Sequence, residues 1–324
     1  MAAPYLSRDL SFALTCKAVK IKVMKKKNIK LSRQRKLDYL FVLAMLIIPI
    51  VNFIIFWVVV NFNSIVIAFQ DPSHKGAFTL DNFKMIINLF KTNELKIALI
   101  NTLITSGFQI IFLVPWSFML SYFLYKKIPL TSVWRVFLFL PSILPAIFLT
   151  GMFTYAITPA GPIGTLWGKL FNTQIPGLLV ENDYARWTIL VYFFLTNFGG
   201  QFILFSGAMS RIPKEVLESA KLDGAGMFRE MFVMVLPLIW PTFSMILVLN
   251  FASIFTATGP ILLLNKGAGN SKTIAYWIFE QVNDSNGTSL YLPAALGLAC
   301  TAVLYPIISF VRWITGKVFS DVEY

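Results

Sequence analysis

The stretch Glu218-Ser219-Ala220-Lys221-Leu222-Asp223-Gly224-Ala225, followed by Leu236-Pro237, decides the organisation of this chain. It belongs to a charged segment, residues 211–230, which lies between two apolar runs of membrane length. Of the 324 residues in the chain, 57% are hydrophobic and only 13% are charged. Because charged side chains are costly inside a bilayer, their concentration here predicts a surface outside the membrane that contacts another protein.

Six stretches without Asp, Glu, Lys or Arg are long enough to cross a membrane, since a transmembrane helix needs about 20 apolar residues. They are residues 39–70, 97–125, 136–168, 187–210, 231–265 and 285–311. The sequence therefore predicts an all-α integral membrane protein with six transmembrane helices. We expect a basic, partly disordered cytoplasmic tail (1–36), a transmembrane domain (37–316) that contains the charged segment, and a short C-terminal tail (317–324).

Basic residues predict the orientation of the spans, because cytoplasmic loops carry an excess of Lys and Arg. With six spans both termini lie on one side, and that side holds 20 of the 28 basic residues, including those of the charged segment. We therefore expect a multi-pass protein of the bacterial cytoplasmic (inner) membrane with both termini in the cytoplasm. The net charge of +13 then reflects topology and anionic lipid rather than nucleic acid. Met24 precedes three lysines, which leaves open whether residues 1–23 belong to the mature chain.

The spans lack the residues on which self-sufficient carriers and membrane enzymes usually depend. No charged residue lies inside the six runs, whereas ion-coupled carriers place ionisable groups within the membrane. His74, the single histidine, lies beside Asp71 in a loop without a partner at metal-ligand spacing. Residues 267–273 resemble a phosphate loop but lack the glycine before Lys272. We therefore predict no catalytic residue, no metal site and no cofactor in this chain. If it transports anything actively, the energy must enter through a contact on the cytoplasmic side.

The charged segment predicts a short helix, a tight turn and a second helix. Residues 214–222 suit an amphipathic helix. Gly224 can adopt the left-handed conformation that ends such a helix. A second helix is expected to begin near Met227 and to enter the membrane with a kink at Pro237. The alternative is a polar loop without regular structure.

The spacing of these residues resembles the motif of the permease subunits of ATP-binding-cassette importers. That motif is E-A-A, three residues, G, nine residues and I-x-L-P, and this chain has Glu218-Ser219-Ala220, Gly224 and Met234-Val235-Leu236-Pro237. The carbohydrate-uptake, maltose-type branch also has D-G-A, which is present as Asp223-Gly224-Ala225. The two departures, Ser219 and Met234, are close to the usual residues in volume. The resemblance extends over roughly residues 37–316.

The resemblance implies a type I importer permease fold and a coupling role for the charged segment. The residues implied in contact with the ATPase are Glu218, Ser219, Ala220, Asp223, Gly224 and Ala225. The implied partners are a second homologous permease, two cytoplasmic ATP-binding-cassette ATPases, an extracytoplasmic solute-binding protein and the lipid bilayer. The ATPases would bind ATP and Mg, so this chain would be a transport subunit and not an enzyme. Whether the second permease is identical stays open, although the family implies a heterodimer.

Polar residues inside the apolar runs predict the substrate pathway, because they usually face the interior of a helix bundle. Amide and hydroxyl groups would hydrogen-bond a sugar, and aromatic rings would stack on it. The candidates are Asn197, Gln201, Asn250, Ser253, Tyr192 and Phe251. Alternatively, these polar groups only bond neighbouring helices.

The predicted substrate is an oligosaccharide. Length, basic tail and loop style resemble importers of polysaccharide-derived oligosaccharides, among them the acidic oligomers of alginate. Two alternatives stay open: the same architecture importing amino acids, peptides or polyamines, and a membrane scaffold that binds an ATPase without transport.

Overall fold

The computed structural model describes residues 33–71, 77–256, 259–284 and 290–318. The expectations about the N-terminal tail up to residue 32, about His74 and about residues 319–324 lie outside the described residues. The chain divides into two compact units, Met1–Asn63 and Ser64–Tyr324.

The described part of the first unit is helical. Helix α1 (Arg33–Phe53) leads into a π-helical turn (Ile54–Val59). From Leu37 onwards its side chains are exposed on all sides, Ile48 to 75%. A helix that is apolar all round suits a membrane environment.

The second unit is built from helices and turns, with one isolated antiparallel bridge between Gln70 and Phe78 in its described part. Two further π-helical turns, Phe108–Leu113 and Glu230–Val235, interrupt its long helices. The helices are α2 (Val60–Ala68), which begins in the first unit, α3 (Asp81–Lys91), α4 (Glu94–Gly107), α5 (Val114–Tyr125), α6 (Thr131–Ile143), α7 (Ala146–Ile157), α8 (Pro162–Phe171), α9 (Ala185–Thr196), α10 (Phe198–Met209), α11 (Lys214–Leu222), α12 (Met227–Arg229), α13 (Leu236–Leu238), α14 (Trp240–Ala252), α15 (Gly259–Leu264), α16 (Ile274–Asp284) and α17 (Tyr291–Val318).

Several helical stretches of the described residues are long and apolar enough to cross a membrane. They are Leu37–Ala68, Glu94–Tyr125, Ala146–Phe171, Ala185–Met209 and Tyr291–Val318. A sixth span is present if Met227–Leu238 and Trp240–Ala252 are taken as one span bent by 78°. The predicted all-α membrane architecture is confirmed, with the fifth predicted span in two parts.

The third predicted run, residues 136–168, is not one continuous helix. Helix α6 ends at Ile143, Leu144 has extended backbone angles (φ −76°, ψ 142°), and α7 begins only after Pro145. The residue before a proline avoids the helical conformation, which explains the break. The membrane-length stretch is Ala146–Phe171, and α6 is a separate apolar helix.

The bend in the fifth span lies at Ile239, two residues beyond the kink predicted at Pro237. Ile239 has φ −100° and ψ 12°, outside helical geometry. Pro241 lacks the N–H group that would bond the carbonyl of Pro237, and its ring crowds that turn. The bend therefore arises at Pro241, beyond the intact bond from Ile239 N to Val235 O.

The last helix extends further than predicted. Helix α17 begins at Tyr291 and ends at Val318, so the predicted tail boundary at residue 317 lies inside a helix. Lys317 Nζ lies 4.0 Å from the ring centroid of Trp313. This cation–π contact helps to hold the last turn in place.

An apolar core joins the charged segment to the second, fourth and fifth spans. Its buried residues pack in one cluster, which we call the central core. They are Val114, Phe118, Tyr122, Phe205, Met209, Ile212, Leu217, Met231, Val235, Ile239 and Ile246. Because Ile212 and Leu217 belong to the charged segment, this segment is packed against the spans.

Buried hydrogen bonds fix the loop between α15 and α16 on α4. Asn101 Nδ2 donates to the carbonyls of Asn270 and Lys272 over 2.6 and 2.8 Å. The backbone N–H of Ile274 donates to Thr102 Oγ1 over 2.9 Å. The loop that resembles a phosphate loop (residues 267–273) is thus held against α4 by amide and hydroxyl groups of that helix.

Candidate functional site

The charged segment forms the predicted helix, α11 (Lys214–Leu222). Its two faces differ in burial. Leu217 packs in the central core and Ala220 is fully buried, whereas Glu218 and Ser219 are exposed. Because tertiary packing of an apolar face stabilises a helix this short, α11 is fixed to the spans on one side. Its other side is free to meet a partner.

Helix α11 ends in a Schellman-type turn. Ala225 N donates to Ala220 O over 3.0 Å, and Asp223 N donates to Ser219 O over 3.0 Å. Between them Gly224 has a φ of +71°. This left-handed conformation costs an L-residue about 1–2 kcal/mol, whereas glycine adopts it freely. The predicted left-handed glycine is confirmed.

Replacing Gly224 with alanine is expected to strain this turn without a steric clash. Apart from its two sequence neighbours, no residue that the structure describes comes within 4 Å of the place that a Cβ would take at Gly224. The backbone penalty of about 1 kcal/mol then predicts about fivefold weaker binding of the ATPase that the motif implies. Gly226→Ala is the matched control, since Gly226 has φ −68° and equally open surroundings. Titration of the ATPase onto the purified permease measures both variants, and equal effects would contradict the role of Gly224.

An apolar contact surface beside this turn was not predicted. Leu222 is 89% exposed and Phe228 is 61% exposed, one on each side of Gly224. Leu222 lies one helical turn from Glu218, on the same face of α11. An apolar residue at the end of a helix with four charged residues among nine was the available signal. A partner that covered these side chains would gain hydrophobic free energy.

A cavity of about 510 Å³ lies between α6, α9, α10 and α14. We call it the polar cavity, and the ten described residues that line it are uncharged. They are Ser142, Thr196, Asn197, Gly200, Gln201, Leu204, Ile246, Leu249, Asn250 and Ser253. Four of the six predicted pathway residues are thus brought together: Asn197, Gln201, Asn250 and Ser253. Ser142 and Thr196 were not predicted.

Amide groups from two helices meet in the polar cavity. Gln201 Nε2 donates to Asn250 Oδ1 over 3.2 Å, and Asn250 Nδ2 donates to the carbonyl of Ile246 over 2.7 Å. Gln201 Oε1 is buried and has no hydrogen-bond donor within the described part of the chain. A buried acceptor without a donor is unfavourable. The cavity wall therefore suits a ligand rich in hydroxyl groups.

A glycine allows α10 to come close enough to α6 to build this cavity. A Cβ at Gly199 would lie 2.4 Å from both Cβ and Oγ of Ser142. Just before it, Asn197 (φ −96°, ψ 12°) interrupts the helix between α9 and α10. The break and the glycine together place Ser142 and Asn197 at the same cavity.

The aromatic part of the predicted pathway does not line the cavity. Tyr192 is buried in an apolar cluster, with its ring 5.3 Å from that of Phe153. Thr196, one helical turn beyond Tyr192 on α9, lines the cavity, whereas the Tyr192 ring packs in the apolar cluster. Phe251 is absent from the lining too. It follows Asn250 and therefore points about 100° away around α14.

Comparison with known families and relatives places the chain among transport proteins. A family model described as binding-protein-dependent transport system inner membrane component matches residues 113–322, well over half of the chain. A probable ABC transporter permease of Mycoplasma pneumoniae is 25% identical over 254 residues, which cover 73% of this chain and 75% of the relative. The sn-glycerol-3-phosphate transport system permease protein UgpA of Escherichia coli is 29% identical over 182 residues, or 51% and 60% of the two chains.

Two solved structures share the fold. One is a bacterial ABC transporter involved in the import of the acidic polysaccharide alginate, at 21% identity and a TM-score of 0.77 over 89% of this chain and 99% of that chain. The other is a bacterial alginate ABC transporter in complex with an alginate pentasaccharide-bound periplasmic protein, at 21% identity and a TM-score of 0.78. This match covers 91% of this chain and 100% of that chain.

Proposed function

Because the chain belongs to the family of binding-protein-dependent transport system inner membrane components, we propose that it is the permease subunit of an ATP-driven oligosaccharide importer. It is a multi-pass protein of the inner membrane. The polar cavity carries the proposal, since uncharged residues line an open cleft of about 510 Å³ among apolar helices. Its amide and hydroxyl groups can replace water around the hydroxyls of a sugar while the sugar crosses the membrane.

The relatives support a polyhydroxylated cargo. One relative is a permease for sn-glycerol-3-phosphate, and the fold neighbours belong to alginate importers. An alginate oligomer is therefore the first substrate to test. A neutral oligosaccharide should be tested in parallel, because none of the described residues that line the polar cavity is charged. A polyamine would require carboxylates, and none lines the cavity, so that alternative has less support.

The proposed assembly needs four kinds of component. A second, homologous permease pairs with this chain, and two cytoplasmic ATPases bind ATP and Mg and hydrolyse the ATP. An extracytoplasmic solute-binding protein delivers the substrate. Both termini and the charged segment lie in the cytoplasm, so that α11 meets an ATPase, with Glu218, Ser219 and Asp223 on its exposed side. This chain itself needs no cofactor.

Reconstitution of the complete complex in vesicles tests the proposal. We expect the substrate-loaded binding protein to stimulate ATP hydrolysis and labelled oligosaccharide to accumulate inside. ATP hydrolysis without uptake would support the scaffold and overturn the permease function. Uptake of an amino acid, a peptide or a polyamine in place of sugar would overturn the proposed substrate class.

Gln201→Met is expected to lower sugar uptake while ATPase binding stays normal. The substitution keeps the size of the side chain and removes both its donor and its acceptor from the polar cavity. One hydrogen bond of about 1 kcal/mol corresponds to about fivefold slower uptake. Ser244→Ala is the control, since Ser244 lies on α14 outside the cavity and its hydroxyl bonds the carbonyl of Pro241. Equal uptake by the two variants would show that Gln201 does not contact the substrate during transport.

A further inference from the structure

A buried ion pair joins the end of the second span to the helix that follows the Gly224 turn. Lys126 Nζ lies 2.5 Å from Oε1 and 2.6 Å from Oε2 of Glu230. The Glu230 side chain is 3% exposed and the Lys126 side chain is 18% exposed. A carboxylate buried to this degree requires a partner of opposite charge. The two residues are 104 positions apart, so the pair is a tertiary contact.

The same place carries a second polar contact. Tyr122 Oη donates to the carbonyl of Met227 over 3.2 Å, and Tyr122 itself is fully buried in the central core. Lys126 Nζ lies 5.9 Å from the ring centroid of Tyr122. The end of the second span therefore holds the first turns of the rising helix (Met227–Leu238) through two side chains.

The backbone link from α11 to the rising helix is short and rich in glycine. Only Ala225 separates Gly224 from Gly226, and glycine restricts the backbone least. Side chains also join α11 and the rising helix to the spans, namely Leu217 in the central core and the Lys126–Glu230 pair.

We propose that Lys126 and Glu230 are positioning residues for transport. They lock the cytoplasmic ends of the second and fifth spans into one body, so that displacement of α11 moves both spans together. This inference rests on the proposed coupling of α11 to an ATPase. A pair that served only to stabilise the fold would leave the amount of sugar moved per ATP unchanged.

The double substitution Lys126→Met with Glu230→Leu tests the lock in the complete complex. Replacing a buried ion pair by apolar groups of similar volume usually preserves stability. We expect normal amounts of complex and continued ATP hydrolysis, with about tenfold less sugar moved per ATP, a typical size for coupling between sites. Lys126→Arg keeps the charge and is expected to keep the wild-type ratio. A wild-type ratio in the double variant would overturn the proposal.

An exposed ion pair provides the matched control. Lys84 Nζ lies 2.8 Å from Asp81 Oδ1 on α3, and both side chains are mostly exposed. Removing this pair with Asp81→Asn and Lys84→Gln is expected to leave the sugar moved per ATP unchanged. A tenfold loss here as well would show that the measurement does not report the lock, and would overturn the proposal.

Hydrogen exchange separates the lock from the proposed function. Amides of residues 227–236 in the complex are expected to exchange about tenfold faster in the double variant than in the wild type, a size typical of coupling. Unchanged exchange would overturn the lock. If the wild-type complex takes up no sugar, the proposed function is wrong. The exchange rates then still test whether Lys126 and Glu230 hold the two spans together. Lys126→Gln with Glu230→Gln, which removes both charges together and keeps polar groups that can bond each other, replaces the double variant if that variant does not accumulate.

Discussion

Glu218→Lys is expected to abolish uptake by separating the ATPases from the permease. Glu218 is exposed on α11, and the motif to which it belongs implies a basic cleft on the ATPase. The substitution turns attraction into repulsion, and close interfacial charge pairs contribute about 1.5–7 kcal/mol. We expect ATPase binding to be at least about 100-fold weaker and membrane insertion to be normal. Co-purification of the ATPases with the tagged permease measures the binding.

Two further variants distinguish this contact from a general effect of charge. Asp183→Lys makes the same change at an exposed carboxylate before α9, at the other end of the fourth span. It is expected to leave ATPase binding unchanged. Glu218→Gln removes the attraction without adding repulsion and is expected to have an intermediate effect. If the Glu218→Lys variant binds the ATPase as well as the wild type does, Glu218 does not lie in the interface.

The charged segment was predictable from the sequence because its determinants are local. The helix has the predicted bounds, Lys214–Leu222, and Gly224 has the predicted left-handed backbone. The next helix begins at Met227, as expected. An amphipathic pattern, a glycine and a short polar stretch are sufficient to specify each of these features. The spans were predictable for the same reason, since their length and apolar composition are local properties.

Features that depend on distant partners were not predictable. In the sequence Lys126 and Glu230 are ordinary charges at the edges of spans, and only the fold brings them within 2.6 Å. The polar cavity likewise depends on the close approach of Gly199 to Ser142. Tertiary packing likewise decided which predicted pathway residues meet, since the polar ones line one cavity while Tyr192 packs in an apolar cluster.

Leu222→Asp is expected to weaken ATPase binding without affecting the permease itself. Leu222 is 89% exposed at the end of α11, so the substitution removes almost no packing from the isolated chain. Complete burial of a leucine contributes about 1.5–3 kcal/mol, and a loss of about 2 kcal/mol corresponds to about 30-fold weaker binding. Titration of the ATPase onto the purified permease measures this loss, and thermal unfolding of the permease alone checks that the fold is intact.

Leu217→Asp on the same helix is the contrasting variant. Leu217 is 9% exposed and packs in the central core, so a carboxylate there would be buried without a partner. We expect this variant to lower the Tm of the permease by itself, because its defect lies inside the chain. Leu222→Asp should instead leave the Tm unchanged and lose the ATPase, because its defect lies at the interface. Wild-type ATPase binding by Leu222→Asp would show that the face of α11 shared by Leu222 and Glu218 does not meet the ATPase.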